Sequence, residues 1–457
     1  MITFKFRNKL TGMQFIALGF FLLILVGTFL LMLPISTKAG ESTDFMTALF
    51  TSTSATCVTG LVLTDTFTHW TLFGQLVLLA LIQIGGLGFI TIGVSASLAF
   101  HKKIGLKTRG NLQDSVSALQ LGGIVKLVMH ILKGTFLFEG IGAILLSIRF
   151  IPKMGFITGI YYGIFHSISA FCNAGFDLMG CFSPGSSFTA YSGDWLVCIT
   201  LILLIVIGGI GFIVWENIYV HKLNFRRYSL HAKMVLSFSV FLILTGAVLF
   251  FFAERNNTLL GMPLHEQILC SLFGSITPRT AGFNTVDNAA LTDAGKFLSI
   301  VLMFIGGAPG STAGGVKVTT IFVLILYLRS TLTHTRGVNI FGRRLTADTV
   351  SKAACVLFLN LSLSMIVGFI ICCSQNFTMA DTLFEVVSAI STVGMSAGLT
   401  GQLNLLSQLL IIFLMYIGRV GSLSFALAFT DKKKTAHIMQ PEEARISLLS
   451  FDRFLHK

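Results

Sequence analysis

Apolar runs long enough to cross about 30 Å of hydrocarbon recur along the chain. Eight are predicted, at 11–34, 71–100, 122–148, 195–220, 233–253, 296–328, 349–373 and 405–430. Within each successive pair lies a shorter, semi-apolar segment, near 44–58, 159–173, 265–278 and 379–392. These segments are too short to span and have the length of re-entrant half-helices. The pattern predicts an all-α integral membrane fold: eight transmembrane helices plus four re-entrant pore half-helices. They form four repeats of helix, pore loop and helix around a pseudo-fourfold axis. The repeats are placed at 1–110, 111–228, 229–345 and 346–430, followed by a tail at 431–457.

Composition agrees. The 457 residues are 54% hydrophobic and 11% charged, against about 25% charged in soluble domains. The eight cysteines contain no CxxC pair and fall mostly in apolar runs, as small hydrophobes rather than a disulfide framework or zinc site. Lys5, Arg7 and Lys9 precede the first apolar run without a small-residue cleavage site, which predicts a retained first helix.

Charge sets the orientation. Basic clusters occur at the N-terminus, in 101–110, 221–233 and 329–344, and in the tail. All fall on one side if the spans number eight, so both termini are expected in the cytoplasm of a multi-pass plasma-membrane protein. The net charge of +13 is mostly this topology, and no nucleic-acid motif accompanies it. Acids lean outward: Glu41, Asp44, Asp65, Asp177, Asp194, Glu254, Glu266, Asp287, Asp293, Asp381 and Glu385. They either solvate outer loops or concentrate cations at a negative mouth.

An internal repeat sharpens the picture. The re-entrant segments end in Val58-Thr59-Gly60-Leu61, Asn173-Ala174-Gly175-Phe176, Thr280-Ala281-Gly282-Phe283 and Thr392-Val393-Gly394-Met395. Each is approached through Ser, Thr or Ala. A second landmark follows each: Ile84-Gly85-Gly86-Leu87-Gly88, Ile207-Gly208-Gly209-Ile210-Gly211, Ile305-Gly306-Gly307-Ala308-Pro309-Gly310, and Ile417-Gly418-Arg419-Val420-Gly421. A dehydrating cation needs oxygen ligands, and backbone segments meeting on an axis supply rings of carbonyls. Glycine permits the unusual φ and the close approach of several backbones. The half-helices' C-terminal ends would add negative dipole potential. Gly85 and Gly208 fit helix packing better than a pore role.

The third landmark departs from the others. Gly306, Gly307, Ala308, Pro309, Gly310, Ser311, Thr312, Ala313, Gly314 and Gly315 fall in the middle of a predicted span. Five Gly and one Pro in this stretch cannot continue a helix. A P-loop is excluded, because Val316 displaces Lys317 and no Ser or Thr follows it. A flexible linker remains open, although a charge-free loop with apolar flanks suits that role poorly.

Together these motifs resemble the Trk/Ktr/HKT superfamily of potassium transporters over nearly the whole chain. The carriers are Thr280-Ala281-Gly282-Phe283-Asn284, Asn173-Ala174-Gly175-Phe176 and Ser391-Thr392-Val393-Gly394. The likeness is greatest to Ktr-type membrane subunits. It implies a pseudo-fourfold pore in each chain, a homodimer, and a cytoplasmic ring of RCK-type nucleotide-binding regulatory subunits. It also implies a selectivity filter binding K+ at Val58, Thr59, Gly60, Asn173, Ala174, Gly175, Thr280, Ala281, Gly282, Thr392, Val393 and Gly394. Four unequal strands would grip an ion less uniformly, which opens a path to Na+ leakage or Na+ effects. No organic cofactor is implied.

The resemblance places the loop 305–315 below the filter as a gate, beside Arg419 and Lys317. An Arg about ten residues inside a span usually faces a cavity or a partner. There it would hold loop carbonyls and set a positive barrier. Two other classes are weighed. A secondary transporter with a midplane site usually shows twofold repeats. An intramembrane enzyme would need HExxH or clustered carboxylates, and neither occurs within a span.

Overall fold

The computed structural model describes residues 12–88, 91, 124–222, 224–335, 337–423 and 425. The basic N-terminus, the loop 101–110, the end of the second expected span, Arg336 and the tail 431–457 lie outside them. Repeat 1 comprises α1 (Gly12–Leu31), α2 (Phe45–Cys57) and α3 (Leu72–Leu87). Repeat 2 comprises α4 (Ile124–Met154), α5 (Phe156–Phe171), α6 (Trp195–Gly209) and α7 (Phe212–His221). Repeat 3 comprises α8 (Leu230–Glu254), α9 (Leu264–Ile276), α10 (Asp293–Phe304) and α11 (Val318–Leu332). Repeat 4 comprises α12 (Ala347–Ser374), α13 (Met379–Ile390) and α14 (Leu405–Val420).

Among the described residues, α1, α4, α8 and α12 are each long and apolar enough to cross a membrane. Each leaves large apolar side chains uncovered: Phe21 and Phe29, Phe136 and Ile144, Phe241 and Phe252, Phe358 and Phe369. A protein in water would bury such faces, whereas lipid covers them at no cost. Of the remaining expected spans, the run 195–220 differs from the sequence reading. It is not one helix: α6 and α7 form a pair bent by 96°. The cause is Gly211, whose φ of 92° no helix accommodates. Gly88 and Gly421 close α3 and α14 with similar φ of 82° and 94°. The last glycine of the landmark therefore ends the helix in these repeats. The 296–328 run breaks as expected, into α10 and α11 around 305–317.

The short helices α2, α5, α9 and α13 pack inside their own repeats, and each also touches the inner helix of the preceding repeat. Thus α3 meets α5, α6 meets α9, α10 meets α13, and α14 meets α2. The order closes on itself, so the repeats form a ring. Three short helices are pinned in one way. Ser52, Ser167 and Ser275 donate to the carbonyls of Ile24 (2.7 Å), Glu139 (2.6 Å) and Ile243 (2.8 Å). Facing them, Gly27, Gly142 and Gly246 have no room for a methyl group: a Cβ there would meet the same serine Oγ at 2.4–2.5 Å.

Gly85, Gly208 and Gly418 serve the other flank. A Cβ at Gly208 would stand 2.0 Å from the Phe171 carbonyl oxygen, and Gly85 and Gly418 abut Thr56 and Ile390 equivalently. The inner helices are thereby seated directly on the ends of the short ones. Since the obstructing atom is backbone, Gly208→Ala is expected to destabilise the protein by about 2 kcal/mol. A lowered Tm in detergent, with Gly209→Ala much milder, is the expected measurement. At Gly209 the nearest atom to a Cβ is a side-chain nitrogen at 3.4 Å.

Candidate functional site

The short helices end on left-handed residues. Val58, Asn173, Thr280 and Thr392 have φ of 58°, 59°, 73° and 51°. Positive φ at β-branched Val and Thr is strained, and such strain persists only where surroundings enforce it. The enforcement is visible: Thr59 N, Ala174 N and Val393 N each donate at 2.8 Å to the carbonyls of Ser54, Ser169 and Ser388. The third strand is tighter, since Ala281 N reaches Thr277 O, four residues back rather than five. Two residues after each left-handed position comes Gly60, Gly175, Gly282 or Gly394, again with φ of 70–94°. Alternating handedness turns successive carbonyls to the same side of a strand.

Four strands meet. A Cβ built on Gly60 would lie 2.4 Å from Ala174 O; on Gly175, 2.9 Å from Ala281 O; on Gly282, 2.4 Å from Val393 O; on Gly394, 2.1 Å from Thr59 O. The neighbours follow repeat order and return to the start. Of the twelve residues expected at the filter, Thr59, Gly60, Ala174, Gly175, Ala281, Gly282, Val393 and Gly394 meet in one closed backbone ring, and Val58, Asn173, Thr280 and Thr392 are the left-handed residues that precede it. Hydroxyls support it from behind: Ser54 Oγ accepts from Gly60 N (3.0 Å) and Ser388 Oγ from Gly394 N (3.1 Å). The Asn173 amide lies 3.3 Å from Thr280 Oγ1, linking two strands.

On one side the ring opens into a cavity of about 380 Å³ lined by its four glycines together with Asp65, Asp177 and Asp287. Asp65 accepts from Thr68 N and Gly185 N, and Asp177 from Met179 N at 2.9 Å. Burial, with the Asp65 carboxylate nearby, pushes the Asp177 carboxyl up to about 7. A carboxyl with a raised value is charged above it and neutral below. Cation flux at sub-saturating concentration is therefore expected to fall roughly two- to fivefold as the pH on the side of this cavity drops through 7. Flux in the Asp177→Asn variant, measured from pH 5.5 to 8.5, is expected to lose that step.

On the other side stands the loop 305–317. Ala308 N donates to Gly209 O (2.9 Å), Thr312 N to Gly208 O (3.4 Å), and Phe212 N to Gly310 O (2.8 Å). The break between α6 and α7 thus supplies the loop's backbone partners. Thr312 Oγ1 reaches Phe171 O at 3.2 Å, and a Cβ on Gly314 would strike Thr392 Oγ1 at 2.0 Å. The loop crosses from the second strand to the fourth, against the ends opposite the acidic cavity. Arg419 spans the gap: its Nη1 donates to Thr312 O, and its Nη2 to Gly85 O (2.5 Å) and Gly86 O (3.0 Å). Lys317 Nζ donates to Ala313 O (2.7 Å) and Gly314 O (3.2 Å). The loop, Lys317 and Arg419 border a second cavity of about 230 Å³. Among the described residues no group of His, Cys, Asp and Glu is arranged to hold a metal ion.

Sequence reasoning missed two parts of the site. The paired Gly27–Ser52, Gly142–Ser167 and Gly246–Ser275 contacts carry a readable signal, a Gly 25–29 residues before a Ser that precedes the strand. Arg279, immediately before Thr280 and buried at 8% exposure, was the other.

A closed ring of four backbone strands within membrane helices, between an acidic cavity and a cation-clamped loop, defines an α-helical membrane transport protein built from four repeats. The TrkH family, described as cation transport protein, matches residues 5–439. The chain is 39% identical over 447 residues to the potassium/sodium uptake protein NtpJ of Enterococcus hirae, covering 96% of this chain and 98% of the relative. It is 37% identical over 436 residues to the Ktr system potassium uptake protein B of Bacillus subtilis, covering 95% and 96%. The protein of the same name from Vibrio alginolyticus is 35% identical over 443 residues, covering 96% and 95%. The crystal structure of the potassium transporter TrkH from Vibrio parahaemolyticus superposes with a TM-score of 0.72 at 17% identity, covering 93% of this chain and 86% of that one. The chain belongs to the TrkH family of cation transport proteins, which are transporters and not enzymes.

Proposed function

We propose that this chain is the ion-translocating membrane subunit of a potassium uptake system, with K+ as cargo and Na+ as a second permeant or modulating ion. The observation that carries the reading is the closed ring of Gly60, Gly175, Gly282 and Gly394, each against the next strand's carbonyl. Carbonyl oxygens from four strands replace the hydration shell of a cation. Val58, Asn173, Thr280 and Thr392 turn the strands, and Thr59, Ala174, Ala281 and Val393 supply the oxygens between them. Asp65, Asp177 and Asp287 concentrate cations before they dehydrate.

The loop from Gly306 to Gly315 acts as the gate. Arg419 and Lys317 hold its carbonyls and place positive charge beneath the ring. Eight spans and four re-entrant helices put both termini in the cytoplasm of a plasma-membrane homodimer. The loops 221–233 and 329–344 receive an RCK-type regulatory ring. What supports this docking is that the two loops adjoin: Lys233 lies 6.0 Å from the Phe225 ring centre and 5.9 Å from that of Phe341. The adjoining hairpin pairs Ile340 with Arg343 and presents Arg343 and Arg344 to solvent.

The test is ion replacement in liposomes containing the purified chain. A potential-driven flux is expected with K+ or Rb+, smaller with Na+. Flux indifferent to K+ and saturating with an organic solute would reject the reading in favour of a midplane-site transporter.

A further inference from the structure

The residues preceding the four strands are Cys57, Cys172, Arg279 and Ser391. Three are small and uncharged, whereas the third repeat buries a guanidinium at the same register. Its Nη2 donates to Ser239 Oγ at 2.9 Å and its Nη1 reaches Ser239 O at 3.5 Å. Its Nε has no hydrogen-bond partner among the described residues. None of the ion pairs among those residues includes it. A buried cation without a carboxylate, holding an unspent donor, is costly in this arrangement.

The position of this residue is specific. Arg279 lines a void of about 10 Å³ together with Gly209, Ile210 and Gly307, room for about one oxygen atom with its contacts. This is the corner where the loop's first limb is tied to α6. Gly209 O there accepts from Ala308 N at 2.9 Å. Arg419 and Lys317 spend their donors on loop carbonyls in the present arrangement, but Arg279 spends none there. When the first limb leaves α6, Gly209 O loses Ala308 N. An orphaned carbonyl at membrane depth costs several kcal/mol. Gly209, with its freed carbonyl, and Arg279, with its unspent donor, then border the same void.

We propose that Arg279 is a positioning residue for the displaced loop: its Nε takes the carbonyl that loop departure frees at Gly209, so that it favours opening while Arg419 and Lys317 favour closure. The proposal rests on the reading of 305–315 as a gate. It assigns opposite signs to two arginines, Arg279 and Arg419.

The experiment is K+ flux through the full chain in liposomes for Arg279→Met, Arg279→Lys and a variant lacking Ala308–Ala313, alone and combined. Tm and the K+/Na+ flux ratio are measured alongside. Arg279→Met is expected to lower flux about tenfold, since a freed carbonyl then lacks its donor. Tm is expected to hold or rise, because an uncompensated buried charge is gone, and the K+/Na+ ratio to hold. Arg279→Lys is expected to restore part of the flux. In the deletion background Arg279→Met is expected to change nothing.

Unchanged or raised flux in Arg279→Met overturns the proposal. So does a loss that persists in the deletion background, or one accompanied by lower Tm and a lower K+/Na+ ratio, which marks a merely structural support of the third strand. If the deletion alone leaves flux unaltered, the gate reading falls and this proposal with it. If the deletion raises flux while Arg279→Met is silent, only this proposal falls.

Discussion

Gly394→Ser is expected to reduce the K+/Na+ flux ratio about tenfold or more, and Gly175→Ser to reduce it least among the four ring glycines. Two costs combine at Gly394. Its φ of 91° is strained for any residue with a Cβ. The Cβ would also meet Thr59 O at 2.1 Å. That oxygen belongs to the ring itself, so relief of the clash moves a coordinating carbonyl. A shift worth 1.4 kcal/mol of differential ion binding is about tenfold in preference. At Gly175 the corresponding oxygen, Ala281 O, stands at 2.9 Å and yields with a smaller displacement. Gly60 and Gly282, both at 2.4 Å, are expected between. No change at any of the four positions would separate the glycines from selectivity, and equal losses at all four would overturn the ranking by clash distance.

Deleting Ala308–Ala313 is expected to raise K+ flux of the chain alone by about tenfold or more. The segment contains Ala308, whose N donates to Gly209 O, and Thr312, whose N and Oγ1 reach Gly208 O and Phe171 O. It also contains the Thr312 carbonyl that Arg419 holds and the Ala313 carbonyl that Lys317 holds. Removing it unties the loop from α6, from the second strand and from Arg419, and leaves Lys317 only Gly314 O. Arg419→Met removes one tether and the positive charge beneath the ring, so a smaller rise is expected. If the chain's flux stays low in the deletion variant and still requires a cytoplasmic partner, the loop is not the barrier.

The fold was legible where glycine chemistry repeats. Hydropathy located the long helices, and the recurring glycine-centred tetrapeptides located the strands that the structure brings into one ring. The bend between α6 and α7 was not legible. Ile207-Gly208-Gly209-Ile210-Gly211-Phe212 sits in an unbroken apolar run, and glycines are frequent in continuous membrane helices. The φ of 92° at Gly211 and the loop that donates Ala308 N and accepts from Phe212 N show why the helix turns there. The Gly85 and Gly208 positions were read as packing, and their closeness to Thr56 O and Phe171 O is packing of an unusually direct kind. Arg279 was hidden by its context. Thr277-Pro278-Arg279-Thr280 looks like the polar end of a short segment, and nothing in sequence tells that its side chain turns back into the core toward Ser239.

The most direct measurement is anomalous diffraction from crystals of the protein grown in K+ and exchanged into Tl+. The account predicts Tl+ density on the axis of the ring, between the carbonyls of Thr59, Ala174, Ala281 and Val393 and the four glycines. An ordered Tl+ site elsewhere between the helices, with the ring empty in a preparation that transports Tl+, would contradict it.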